Sequence, residues 1–163
     1  MATTETEPVT MSFDSREQEV FLNLWRTYDC LKAIEDELFA RFELSPQQYN
    51  ALRLLEAAAP AAMQSLALGS KLISRAPDTT RLLDRLEKRG WVRRSRPAEN
   101  RRVVEVSITP SGLRLLKRMR PEIAKMHAQQ LGHLSPRQAE QLTRLLRTAR
   151  RPHDDASCNW IES

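Results

Sequence analysis

Glycine is scarce in this chain, with four in 163 residues. No glycine-rich phosphate loop is present, so nucleotide hydrolysis has no obvious seat. Aromatic residues supply only 6% of the chain. The two cysteines, Cys30 and Cys158, lie far apart and match no disulfide framework or metal motif. That usage suits a reducing, cytoplasmic setting. No uninterrupted apolar run approaches the ~20 residues of a membrane span. The first twenty residues are acidic and polar, without the basic start and apolar stretch of a secretory signal. His127, His133 and His153 have no metal-ligand spacing with cysteines or carboxylates. No Ser, His and Asp cluster stands out either. The expectation is a cytoplasmic protein with no membrane partner, no metal, no cofactor and no catalytic role.

Leucine, alanine and arginine dominate what is there, which argues for a mostly helical chain. The formal net charge is +5, but it is unevenly spread. Residues 1–43 carry four basic and ten acidic side chains. Residues 71–102 carry eleven basic and four acidic, and residues 114–151 ten basic and two acidic. Charge separated in this way suits a surface that faces a polyanion. Charge alone is equally compatible with solvated faces on arginine-rich helices.

Helical periodicity starts at Ser15. Phe21, Leu22, Leu24, Trp25, Tyr28, Leu31, Ile34, Leu38 and Phe42 recur at steps of three and four, predicting one long helix to about Phe42. Ser15 and Gln18 can form a capping box at its start. Ser45-Pro46-Gln47-Gln48 is a second helix start, and Ala57-Ala58-Ala59-Pro60 ends that helix. A short helix is predicted from about Met63 to Leu72. After a turn near Ile73-Ser74-Arg75, another runs to Arg89 with Pro77 in its first turn and Gly90 as its stop. The period then changes. Residues 91–96 and 103–108 read as two strands, joined by the turn Pro97-Ala98-Glu99-Asn100. Thr109-Pro110 caps a helix to about Gln130. Ser135-Pro136, with Gln138, caps a last one to about Arg150. Residues 1–14 and 152–163 read as flexible tails around a single domain at 15–151.

Two short helices followed by a basic hairpin is the plan of a winged helix-turn-helix, here within a mainly α chain. The second helix of the pair would enter the major groove of double-stranded DNA. Its outward positions are Arg75, Asp78, Thr80, Arg81, Asp84 and Arg85. Arginine can donate two hydrogen bonds to guanine, and threonine can meet a phosphate or a thymine methyl. Asp78 stands three residues before Arg81, where it can orient that guanidinium, accept from cytosine, or simply stabilise the helix dipole. Arg101 and Arg102 stand at the hairpin tip, where a guanidinium can enter a narrow minor groove.

The run LLDRLEKRGWVRRSRPAENRRVVEVSITPSG resembles the centre of the MarR family of regulators. A leucine-rich helix ends in Glu-Lys-Arg-Gly, a wing follows, and a strand closes in Ile-Thr-Pro-Ser-Gly. The family wing carries Asp-x-Arg seven residues before the Thr of its Leu-Thr-x-x-Gly element. That alignment makes Arg102 the wing arginine before Thr109 and puts Asn100 where the family has aspartate. The resemblance covers about residues 17–150. It implies a homodimer joined by helices at about 15–43 and 110–150, with the winged helix-turn-helix at about 45–109. It further implies a repressor bound to a pseudo-palindromic operator and, in many members, release of DNA by a small aromatic or phenolic anion. The apolar stripes of the first and last helices, with nothing obvious to cover them, point to a dimer independently.

An aromatic anion needs arginine for charge and a ring for stacking. Trp25, Arg26, Tyr49, Arg53, Arg118 and Met119 are the candidates. The plain alternative is that the aromatics belong to the core and the arginines to the surface. Cys30 reads as a buried structural thiol, with a redox switch as the alternative. Cys158 has no basic neighbour to activate it. Other readings keep DNA binding without a ligand, as a constitutive or redox-responsive regulator, or turn the winged helix into a protein–protein module. The last does not require arginine on both the second helix and the hairpin tip, and this chain has both.

Overall fold

The structure, a computed structural model, describes residues 12–73 and 78–154. The elements run α1 (Arg16–Arg41), α2 (Pro46–Ala58), β1 (Met63–Gln64), α3 (Ser65–Lys71), α4 (Thr79–Lys88), β2 (Val92–Ser95), β3 (Glu105–Ile108), α5 (Pro110–Leu131) and α6 (Pro136–Arg150), with a 3-10 turn at Arg151–His153. The fold is mainly helical with one small antiparallel sheet, as the sequence predicts. The two tails fall mostly outside the described residues, as do Arg75, Pro77 and Cys158.

The chain divides into two compact units, residues 1–33 and 34–163. The first holds the N-terminal part of α1. The Ser15 hydroxyl accepts from the Gln18 backbone N–H at 3.1 Å, while the Gln18 side chain receives the Asp14 N–H at 2.6 Å. The expected box is therefore closed one residue early, by Asp14 in place of Ser15. Along this helix Val20, Phe21, Leu24, Trp25 and Tyr28 are exposed, Trp25 and Tyr28 at 62% each. Phe21 and Trp25 face one another with ring centroids 6.1 Å apart. Cys30 is exposed too, which corrects the expectation of a buried structural thiol. The reason is local: the apolar stripe beside it is itself uncovered in this unit.

The second unit holds the core. Leu38 and Phe39 at the end of α1, Leu52 and Leu55 of α2, Leu68 of α3, Leu83 and Leu86 of α4, and Leu116 and Met119 of α5 close around Val92 and Val106 of the sheet. Capping fixes where each helix begins. Ser45 and Gln48 make a complete capping box, with Pro46 at the first turn, and Ser135 with Gln138 makes another. Thr109 caps α5, its hydroxyl accepting from the Gly112 N–H at 3.1 Å while donating to the Gly90 carbonyl at 2.7 Å. Gly90 has φ +70°, a left-handed conformation that costs glycine nothing and ends α4. All of α6 is exposed, including Leu142, Leu145 and Leu146.

Three boundaries differ from the sequence expectation. Met63 and Gln64 form a strand, not the start of a helix. They pair with Val106 and Glu105, making a three-stranded sheet of order β1-β3-β2 in place of a bare hairpin. Two residues are too few to carry an alternating pattern, so only the neighbouring strand reveals them. Helix α4 begins at Thr79 with Asp78 as its cap. The wing strands are shorter than predicted, Val92 pairing with Ile108 and Ser95 with Glu105, which leaves residues 96–104 as an extended loop.

Candidate nucleic-acid interface

Helix α4 is strongly two-faced. Leu82, Leu83 and Leu86 are buried, and Thr80, Arg81, Asp84 and Arg85 are exposed. Asp78 uses both carboxylate oxygens locally. One accepts from the Arg81 backbone N–H at 2.8 Å, and the other pairs with Arg81 Nε at 2.9 Å. Asp78 thus caps the helix and aims the Arg81 guanidinium, whose side chain is 80% exposed. The energy of such an exposed pair is small, about 1 kcal/mol or less. Its effect is to restrict orientation. Arg85 has no ion pair among the described residues.

The wing loop is built by short backbone bonds. The Asn100 N–H donates to the Pro97 carbonyl at 3.2 Å, and the Val103 N–H donates to the Asn100 carbonyl at 3.1 Å. The Asn100 side-chain oxygen accepts from the Arg102 N–H at 3.2 Å. Arg101 and Arg102 are exposed beside this turn, without ion pairs among the described residues. A small cleft at the wing's base is lined by Arg94, Ser95, Arg96 and Val104. Where α4 gives way to β2, the Arg89 guanidinium lies 5.1 Å from the Trp91 ring centre and pairs with Glu43 at 3.0 Å.

Arg94 joins wing to helix. From β2 its Nε donates to Glu87 at 2.8 Å and its Nη2 to the same oxygen at 2.5 Å, while its backbone N–H reaches the other Glu87 oxygen at 3.0 Å. Nη2 also pairs with Asp84 at 2.6 Å. The hydrogen bonds from Arg94 hold the Glu87 carboxyl below its ordinary range, against a smaller opposing effect of burial. This network was not visible in the sequence. Glu87 and Arg94 are seven residues apart across a helix stop, where no helical or strand period links them.

The six candidates for an anion site divide between the units. Trp25 and Arg26 belong to the first, where Arg26 pairs with Asp29 at 3.7 Å and both line a shallow apolar cleft with Phe13 and Leu22. Tyr49, Arg53, Arg118 and Met119 belong to the second. Tyr49 is half-buried against Phe39, with ring centroids 5.3 Å apart. Burial holds its phenol above the ordinary value, Arg53 and Arg120 opposing and Glu56 adding to the rise. Glu56 is gripped by Arg53 at 2.9 Å and Arg120 at 2.5 Å. Arg118 lies over the Phe42 ring, 5.6 Å from its centre. Met119 is fully buried in the core and presents no surface. The sequence reading missed Arg120, which lies two residues from Arg118 on a different face of α5 and pairs with Glu56 of α2.

Comparison with known proteins gives a consistent picture. A profile of the MarR family matches residues 44–104, which span α2 to the wing. A crystal structure of a MarR transcription factor from Planctomyces limnophilus is 51% identical, covering 84% of this chain and 99% of that one with a TM-score of 0.67. The transcriptional regulator PecS of Dickeya dadantii is 30% identical over 112 residues, 68% of each chain. BpsR of Bordetella bronchiseptica, solved in a study of how 6-hydroxynicotinic acid regulates its DNA binding, is 26% identical over 80% of this chain and 98% of that one, with a TM-score of 0.69.

Proposed function

Because this chain belongs to the MarR family of DNA-binding transcriptional regulators, we propose that it acts in the cytoplasm as a homodimeric repressor whose hold on a pseudo-palindromic operator is loosened by a small aromatic or phenolic anion. The observation that carries the reading is the placement of exposed arginines on both reading elements of one unit. Arg81 and Arg85 stand on α4, and Arg101 and Arg102 at the wing tip. In this reading α4 enters the major groove with Thr80, Arg81 and Arg85, and Asp78 serves them by aiming Arg81. Arg102 enters the flanking minor groove, and Arg101 meets the backbone. A protein-binding winged helix has no need of both sets.

The dimer reading is supported by apolar surface. The stripe Val20, Phe21, Leu24, Trp25 and Tyr28 on α1 and the leucines Leu142, Leu145 and Leu146 on α6 are exposed in the single chain. A two-fold dimer also places two recognition helices one DNA turn apart, matching a palindromic site. The effector reading is supported by Tyr49, Arg53 and Arg118, aromatic and cationic groups at the surface of the second unit, and by the likeness to BpsR. No chemistry is assigned to the protein.

Light scattering and DNA binding together test this. The expected mass is twice that of the chain, and a panel of phenolic and aromatic carboxylates is expected to include compounds that release bound DNA. A monomeric mass would overturn the dimer, and DNA affinity unmoved by every compound would overturn the effector.

A further inference from the structure

We propose that Arg94 is a positioning residue that locks the wing to the recognition helix, so that both read DNA as one rigid piece. The inference rests on the reading of Arg102 as a wing contact. It concerns a residue that need not touch DNA itself.

The geometry is specific. Strand β2 alternates between buried Val92, exposed Arg93, half-buried Arg94 and exposed Ser95. Arg94 therefore occupies an inward strand position, opposite the fully buried Val106. An apolar side chain would be ordinary there. Instead the stem follows the sheet, and the guanidinium ends on Asp84 and Glu87 of α4. Those carboxylates stand one helical turn apart on the wing-facing side, while Arg81 and Arg85 occupy the open side. A planar fork of donors can hold two carboxylates at once, and an ammonium cannot reproduce it. The Arg94 backbone N–H adds a further bond to Glu87 at 3.0 Å, so main chain and side chain of β2 both grip the same carboxylate.

Two consequences follow. The wing arginines sit on a long loop, residues 96–104, held by the short ladder below it and, at its far end, by the Ser65 N–H donating to the Val104 carbonyl at 2.9 Å. Tying the base of that ladder to α4 sets the wing's distance from the recognition helix before DNA arrives. The ordering cost is then met in the free protein, and the second contact becomes effectively intramolecular. The same guanidinium also offsets part of the negative charge of two carboxylates on a helix that approaches a polyanion.

A double-mutant cycle between Arg94 and Arg102 separates positioning from simple stability. The DNA is a duplex selected from random sequence by the wild-type protein, and affinity is read by fluorescence anisotropy. In the wild-type background R102A is expected to weaken binding by about 10- to 100-fold. In R94Q, where the wing is already untied, R102A is expected to cost less than about threefold. R94K keeps the charge but not the fork, and is expected to behave like R94Q. A merely structural role would lower thermal stability while leaving the cost of R102A unchanged. An equal cost of R102A in the wild-type and R94Q backgrounds would overturn the inference alone. Full recovery of the coupling by R94K would overturn it in favour of charge neutralisation. No loss from R102A in the wild-type protein would overturn the wing reading, and this inference with it.

Discussion

Asn100 holds the backbone of Arg102, its side-chain oxygen accepting the Arg102 N–H at 3.2 Å. The family pattern has aspartate at that position, and the contact needs only an oxygen acceptor two residues before the arginine. Loss of the negative charge therefore leaves the turn intact. Asn100→Asp is expected to keep DNA affinity within about threefold, and Asn100→Ala to weaken it about three- to tenfold, the scale of one net hydrogen bond. Anisotropy titrations of both variants check this. Equal affinity for the alanine variant and the wild-type protein would detach the turn from recognition.

Arg102 itself is expected to contribute more. Removal of its side chain in Arg102→Ala should cost about 1–3 kcal/mol of binding and flatten the salt dependence by about one unit of slope. Arg85→Ala should weaken binding on a similar scale and relax base preference within the half-site, because a helix arginine in the major groove reads base edges. Titrations at several salt concentrations distinguish the two. A wing mutant whose salt slope and affinity match those of the wild-type protein would contradict the assignment.

Gly112 makes a prediction about stability alone. It sits in the first turn of α5, where a Cβ would overlap the Trp91 carbonyl oxygen and press on Ile108. Backbone cannot yield as a flexible side chain does. Gly112→Ala is expected to cost about 2 kcal/mol and to lower the melting temperature by roughly 4–8 °C. A thermal melt suffices to check it, and an unchanged midpoint would mean that α5 and the α4–β2 turn are packed less tightly than described.

Glu87 gives the pH dependence its sign. Its bonds to Arg94 hold the folded carboxyl below the ordinary value of 4.5. Such a group contributes stability that is present above the ordinary value and lost as pH falls through the lowered one. The stability gap between wild-type protein and Glu87→Gln should therefore be constant from neutral pH to about 5 and shrink as pH falls further. Urea midpoints across that range measure it. A gap that widened on acidification would show the sign to be wrong.

Much of this molecule is legible in its sequence. Ser45, Thr109 and Ser135 announced three helix starts, because capping is a local chemistry of adjacent residues. Gly90 announced the stop between α4 and the wing for the same reason. What escaped was set by contacts distant in sequence. Strand β1 exists because β3 offers a free edge some forty residues later. Arg94 looked like one more basic residue in a cationic strand until the fold placed two carboxylates under it. Arg102 and Asn100 were legible as a wing element, yet only the turn geometry revealed which atom of Asn100 does the holding. Cys30 looked buried because its neighbours are apolar, and the stripe they form is exposed in the single chain.

The central claim is that α4 and the wing together read a DNA sequence. Fluorescence anisotropy tests it most directly, comparing the intergenic duplex beside the protein's own gene with a scrambled duplex of equal length at two salt concentrations. The account predicts tight binding to the first duplex, weaker binding to the second, loss of affinity as salt rises, and loss of the preference when Arg81, Arg85 and Arg102 are all replaced by alanine. Weak binding that is equal for both duplexes, or a preference that survives the triple substitution, would contradict it.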